Sequence, residues 1–140
     1  MAMTMHCNIV SAEEEIFSGR VTMLVATGTL GELGIMPGHA PLLSGLRPGP
    51  VRLLMDNGDE EVFFASGGFL EVQPGVTTIL ADTALRAEDV DEAVALEAKE
   101  AAEKAVADQG AEFEFSFATA QLAEATARLR TLDELRKRRR

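Results

Sequence analysis

Few side chains in this sequence could carry out chemistry. Its one cysteine and one of its two histidines are neighbours, His6-Cys7, the two types from which a thiol nucleophile and its base are made. They lie in Met5-His6-Cys7-Asn8-Ile9, where apolar and polar residues alternate as they do along a β-strand. Consecutive strand residues point to opposite faces, so the two cannot form a dyad, and the pattern reads as a core cysteine beside an exposed histidine. His39 lies in Gly31–Leu43, GELGIMPGHAPLL, read here as a loop with Glu32 as its only charge. Two histidines and one cysteine at no ligand spacing do not make a zinc site. Ser66-Gly67-Gly68-Phe69 lacks the strand-to-helix context of a nucleophile elbow. Gly28, Gly31 and Gly34 are followed by neither Lys-Ser/Thr nor a helix start, so they read as glycines where strands turn rather than as a phosphate cradle. No catalytic set is expected, and no metal.

Charge is the remaining candidate. The net charge of −10 argues against nucleic acid as a partner, because phosphate binding needs a basic surface. The charge is unevenly spread, however. Seven of the thirteen basic residues are Arg128, Arg130, Arg136, Lys137, Arg138, Arg139 and Arg140. Ten acids lie between Ala87 and Phe115, against Lys99 and Lys104 alone. Cations near a helix C-terminus complement its dipole, but five in succession repel one another, which points to docking on an acidic surface.

Composition changes near residue 84. Eleven of twelve glycines and all five prolines precede it, and Ala, Glu and Leu dominate after it. Two domains are expected, 1–84 and 85–140. In the first, short alternating runs (Met5–Ile9, Val21–Val25, Val51–Met55, Glu61–Ala65, Phe69–Gln73, Val76–Ala81) are separated by turn signals. Asn57-Gly58 predicts a two-residue hairpin, and Gln73-Pro74-Gly75-Val76 a type II turn. This spacing predicts an all-β sandwich or flattened barrel. In the second, Glu88, Asp89 and Asp91 suit a first helical turn, with Val90, Val94, Ala98, Ala101 and Ala105 on one face. Gly110 is the expected stop and Ser116 the expected N-cap of a second helix with Leu122, Ala125, Leu129 and Leu132 as its stripe. The prediction is a β domain followed by an antiparallel α-helical hairpin. Nothing in the N-terminal residues reads as a signal peptide, and no apolar run approaches the roughly 20 residues of a membrane span, so no direct membrane insertion is expected.

Phe17-Ser18-Gly19, GELGIMPGHAPLL (31–43), SGGFLEVQPG (66–75) and LADTALRAEDVDEA (80–93) resemble the epsilon-subunit family of bacterial F-type ATP synthases. The resemblance runs from the N-terminus through the first helix and weakens over the second. It implies a β-sandwich and a helical hairpin in the central stalk, bound to the gamma subunit and touching the c-subunit ring. It implies a subunit without chemistry of its own, peripheral on the cytoplasmic face of the bacterial inner membrane. The hairpin would restrain ATP hydrolysis by extending toward the alpha and beta subunits, with the basic tail meeting an acidic loop of beta. Carried over residue by residue, Gly31, Glu32 and Leu33 match the loop facing the c ring. Ser11, His39, Pro41, Leu42 and Leu43 match the region bordering gamma, with sandwich core as the alternative for Leu42 and Leu43. Some members bind ATP through Ile/Leu-Asp-x-x-Arg-Ala. Here Asp91 and Ala95 are kept, but Val94 replaces the arginine and Glu124 stands where the second helix of such members has another. Arg86 and Arg128 remain as contacts. No cofactor is expected, and ATP binding is expected to be weak or absent. A different reading, a free-standing β-sandwich whose helices sense a nucleotide, predicts a monomer that works alone.

Overall fold

Alternation of apolar and polar residues produces strands over most of the first 86 residues. The computed structural model describes residues 3–107 and 112–138, with backbone alone at 112–115. Among these residues the strands are β1 (Met5–Ser11), β2 (Glu15–Gly28), β3 (Gly31–Ile35), β4 (Leu42–Leu46), β5 (Gly49–Met55), β6 (Glu60–Ala65), β7 (Gly68–Gln73), β8 (Val76–Ala81) and β9 (Ala84–Arg86). A 3-10 turn (Ala87–Asp89) leads to α1 (Glu92–Ala107) and then α2 (Glu112–Arg138). The sheet therefore runs two residues past the composition break at 84/85.

Two layers face each other. One has the order β1-β8-β7-β4, and the other consists of β3, β2, β5, β6 and β9. The long strand β2 belongs to both layers, pairing with β1, β5 and β3 along its length and touching β4 at Gly28. β1 is antiparallel to β2 and parallel to β8. Cys7, Ile9, Leu70 and Ile79 from one layer meet Leu24, Leu53 and Phe63 from the other, all at 0% exposure. Each such side chain stabilises the fold by about 1.5–3 kcal/mol through burial. This is the sandwich that the spacing predicts.

Two turns show why particular residues are required. Gly75 has φ +75°, the left-handed value that the type II turn between β7 and β8 needs at that position. Gly68 has φ +134°, and a Cβ there would stand 2.0 Å from the Leu80 carbonyl oxygen, so the SGG run is a close backbone crossing. Ser66 uses its hydroxyl to accept the Thr83 N–H at 2.8 Å.

The hairpin is folded against the sandwich. α2 lies on β5 and β6, and α1 packs on α2. Phe64, Val90, Ala127 and Leu132, with half-buried Leu85, form the apolar seam between sheet and helix. Asp91 caps α1, its carboxylate accepting the Val94 N–H at 3.2 Å.

Several local expectations change. The stretch 31–43 is mostly not a loop: β3 pairs with β2 through Ile35 and β4 starts at Leu42, which leaves 36–41 as the connection. The β5–β6 turn is longer than two residues. Gly58 donates to the Met55 carbonyl, Met55 donates to that of Asp59, and the Asn57 side chain accepts the Asp59 N–H. Ser116 is interior to α2, since nothing in Glu112–Phe115 breaks a helix. Gly110 lies outside the described residues. On α1 the buried residues are Ala95 and Ala102, whereas Val94, Ala98, Ala101 and Ala105 are exposed. The helix starts only after Val90, which fills the seam instead, so the buried stripe is rotated by one residue from the expected one.

Candidate functional site

The two outer faces of the sandwich differ. The face of β5 and β6 is covered by α2. On the other layer the register places Val10, Leu80, Phe69 and Gly45 side by side across four strands. These positions are out of phase with the core residues Ile9, Ile79 and Leu70, so they point outward. Phe69 is 55% exposed, Leu80 47% and the nearby Leu43 69%. Val10, Ser11, Phe69 and Leu80 line a shallow depression of about 540 Å³ on this face. An apolar patch of this kind, with nothing of the described chain over it, is suited to a protein partner.

The expected gamma-bordering residues fall into two groups around this patch. Leu43 points outward, while Leu42 packs on the core, so strand alternation separates two neighbours that sequence left equivalent. Ser11 borders the depression, but its hydroxyl is occupied in the β1–β2 turn, accepting from Glu13 and Glu14 N–H. His39 and Pro41 are exposed in the 36–41 connection, where the His39 N–H donates to the Met36 carbonyl and Nδ1 lies 2.7 Å from the Ala40 carbonyl oxygen. Phe69, Leu80 and Val10, which share this face, are not singled out by the sequence. Their signal was an apolar residue beside another apolar residue in a strand that otherwise alternates.

Gly31, Glu32 and Leu33 sit on β3 just after the Thr29-Leu30 turn, on the layer that does not carry the patch. Glu32 is exposed and lies 3.6 Å from Arg52 across the sheet. Leu33 packs against the core. Leu30, at the tip, is 103% exposed.

A groove of about 340 Å³ runs between the helices, lined by Val94, Ala95, Ala98, Gln121, Glu124 and Arg128 among others. Val94 is 56% exposed where the resemblance calls for an arginine. Arg128 is already engaged, 3.0 Å from Glu124 and stacked 5.0 Å from the Phe64 ring centroid. Arg86 stacks on Phe63, at 5.3 Å, and pairs with Glu61. Phe63 and Phe64 are consecutive on β6 and point to opposite faces, so the two arginines do not converge. The groove gathers one guanidinium and one carboxylate, a poor match for a triphosphate.

The basic end of α2 is folded onto acids of the same chain: Arg136 pairs with Glu92 and Arg138 with Glu60. Arg130 is exposed on the same helix, and Arg139 and Arg140 lie outside the described residues. His6 is half-buried rather than exposed and bonds Asn8 and Ser18 at 3.0 Å, away from Cys7, whose thiol burial pushes up to about 12. Among the described residues no group of three His, Cys, Asp or Glu side chains is placed to hold a metal ion, and no helix is long and apolar enough to cross a membrane.

A family model described as ATP synthase, Delta/Epsilon chain, beta-sandwich domain matches residues 4–87, and one described as ATP synthase, Delta/Epsilon chain, long alpha-helix domain matches residues 88–133. Among solved structures, the chain is similar to one in the Euglena gracilis mitochondrial ATP synthase (OSCP/F1/c-ring in rotational state 1), with a TM-score of 0.74 and 21% identity over 98% of this chain and 82% of that one. It is also similar to a chain of the Tetrahymena thermophila mitochondrial ATP synthase central stalk/c-ring, with a TM-score of 0.64 and 15% identity over 93% of this chain and 97% of that one. At these identities the two likenesses speak for the fold alone.

Proposed function

The chain belongs to the ATP synthase delta/epsilon family, and from that premise we propose that it is a non-catalytic rotor subunit of the central stalk of a bacterial proton-translocating ATP synthase. Gamma docks on the apolar face of Phe69, Leu80 and Leu43, with Ser11, His39 and Pro41 at its border. Gly31, Glu32 and Leu33 face the c-subunit ring, so the sandwich couples proton flow to the catalytic head. The complex holds the chain peripherally at the cytoplasmic face of the inner membrane. The domains divide the work: residues 1–84 dock, and residues 85–140 regulate by leaving the sandwich and extending toward the alpha and beta subunits. At 1.5 Å rise per residue, a helix of α2's 27 residues would reach about 40 Å along the stalk. ATP is not a ligand of the interhelical groove.

The observation that carries the docking reading is the exposed row on the face opposite the helices. Substituting Phe69→Glu and Leu80→Glu leaves the free chain folded, because both side chains are exposed, and abolishes co-purification with gamma from solubilised membranes. Retained co-purification would overturn this docking face, and an unmodified chain recovered alone would favour the free-standing reading. Deleting residues 119–140 raises the ATPase rate of the assembled complex, and an unchanged rate rules out the regulatory role. Calorimetry with ATP shows no binding at micromolar concentrations, and a micromolar dissociation constant would refute that part.

A further inference from the structure

The basic end of α2 meets acids on two other elements. Arg138 pairs with Glu60 at the start of β6, and with Glu134 on its own helix at 3.4 Å. Arg136 pairs with Glu92 in the first turn of α1, and with Asp133 at 3.8 Å. The first of these contacts joins the helix end to the sandwich, and that to Glu92 joins it to α1. Glu60 is not an isolated acid. Asp59, Glu60, Glu61 and Glu88 line one groove with Lys137 and Arg138. Four carboxylates on one rim repel one another, and cations among them relieve that repulsion.

We propose that this acidic rim, with Glu92, is a docking site for the basic end of α2 and competes for the same arginines with any acidic partner surface. Folded and extended hairpins then cannot both satisfy Arg136 and Arg138. The rim latches the hairpin, and an acidic partner releases it by substitution rather than by adding a contact. The idea that the freed end meets a beta-subunit acid rests on the function proposed above, but the latch does not. The partners' exposure suits a reversible device. The side chains of Arg138 and Glu60 are 31% and 30% exposed, and those of Arg136 and Glu92 56% and 52%. Pairs this open to water are weak and screened by salt, so they tune an equilibrium without welding it. The apolar seam that assists them is short, with Phe64, Val90, Ala127 and Leu132 as its buried members.

The test uses the full chain, carrying dyes on Leu30→Cys at the exposed β2–β3 tip and Ala120→Cys on the exposed side of α2. Cys7 is 0% exposed and takes no dye. Each pair of this kind commonly shifts an equilibrium about two- to fivefold, so Glu60→Lys with Glu92→Lys raises the open fraction on the order of tenfold by energy transfer. Adding Arg136→Glu and Arg138→Glu to that variant returns it toward the original value. In the otherwise unmodified labelled chain, raising KCl from about 0.05 to about 0.5 M opens the hairpin, because screening weakens the pairs. Unchanged energy transfer in a folded charge-reversed variant, or no response to salt, overturns the latch. If the charge-reversed chain opens but inhibits the assembled complex no more strongly than before, the latch stands and the regulatory reading fails.

Discussion

Phe63 and Phe64 are adjacent on β6, both at 0% exposure, and they hold different parts of the molecule together. Phe63 points into the sandwich, among side chains from both layers. Phe64 points outward, into the seam under α2. The two interiors are built differently. The sandwich core joins strands far apart in sequence with large β-branched, leucine and aromatic side chains. The hairpin is held by a short seam, by alanines between the helices and by charges at the helix end. A surface clad mainly in Ala buries little apolar area per residue, so α1, which packs on α2, depends on it for its place. One region is set permanently, and the other is set by a balance small enough to be shifted.

That contrast can be broken or sharpened by substitution. Phe63→Ala has the largest expected effect, a loss of about 3–5 kcal/mol in urea unfolding, with strand and helix signals lost together. Phe64→Ala costs less, about 3 kcal/mol, because the helix can settle toward the vacated space. Amide exchange in α1 and α2 quickens in that variant while β1 and β8 stay protected. Equal exchange changes in both regions would show one cooperative core instead of two. Asp91→Ala removes the cap of α1 and lowers stability by about 1 kcal/mol, read as lost helical circular dichroism on heating. Val94→Arg has the smallest effect, within about 0.5 kcal/mol by the same melt, because the side chain is exposed.

The β-sandwich was legible in the sequence because its signals are local and redundant. Strand alternation, Gly75 in its turn and the break in composition all agree. The helices were legible as helices, but their faces were not. An alanine-rich stretch has no strong apolar stripe, so Val94-Ala98-Ala101-Ala105 looked as good a face as the one containing Ala95 and Ala102. Only the neighbour decides between them. GELGIMPGHAPLL misled for a related reason: its glycines and prolines read as loop, although Glu32–Ile35 pair with β2 in register. The family resemblance treats Leu42 and Leu43 alike, and strand parity separates them into a core-packed and an exposed residue. Phe69 and Leu80 were visible only once the register had lined them up across strands.

The position of β1, between β2 and β8, also has a consequence in time. The β1–β2 hairpin can form as soon as Val21 has left the ribosome. The other edge of β1 stays unpaired until β8 is made, since His6 must wait for Val76. Until then a nascent chain presents a strand edge open to other chains. Closing the sheet is a long-range event and is expected to be the slow step of folding, whereas the backbone bonds of each helix join near neighbours. The eighth of the nine strands to be synthesised thus completes the pairing of the first.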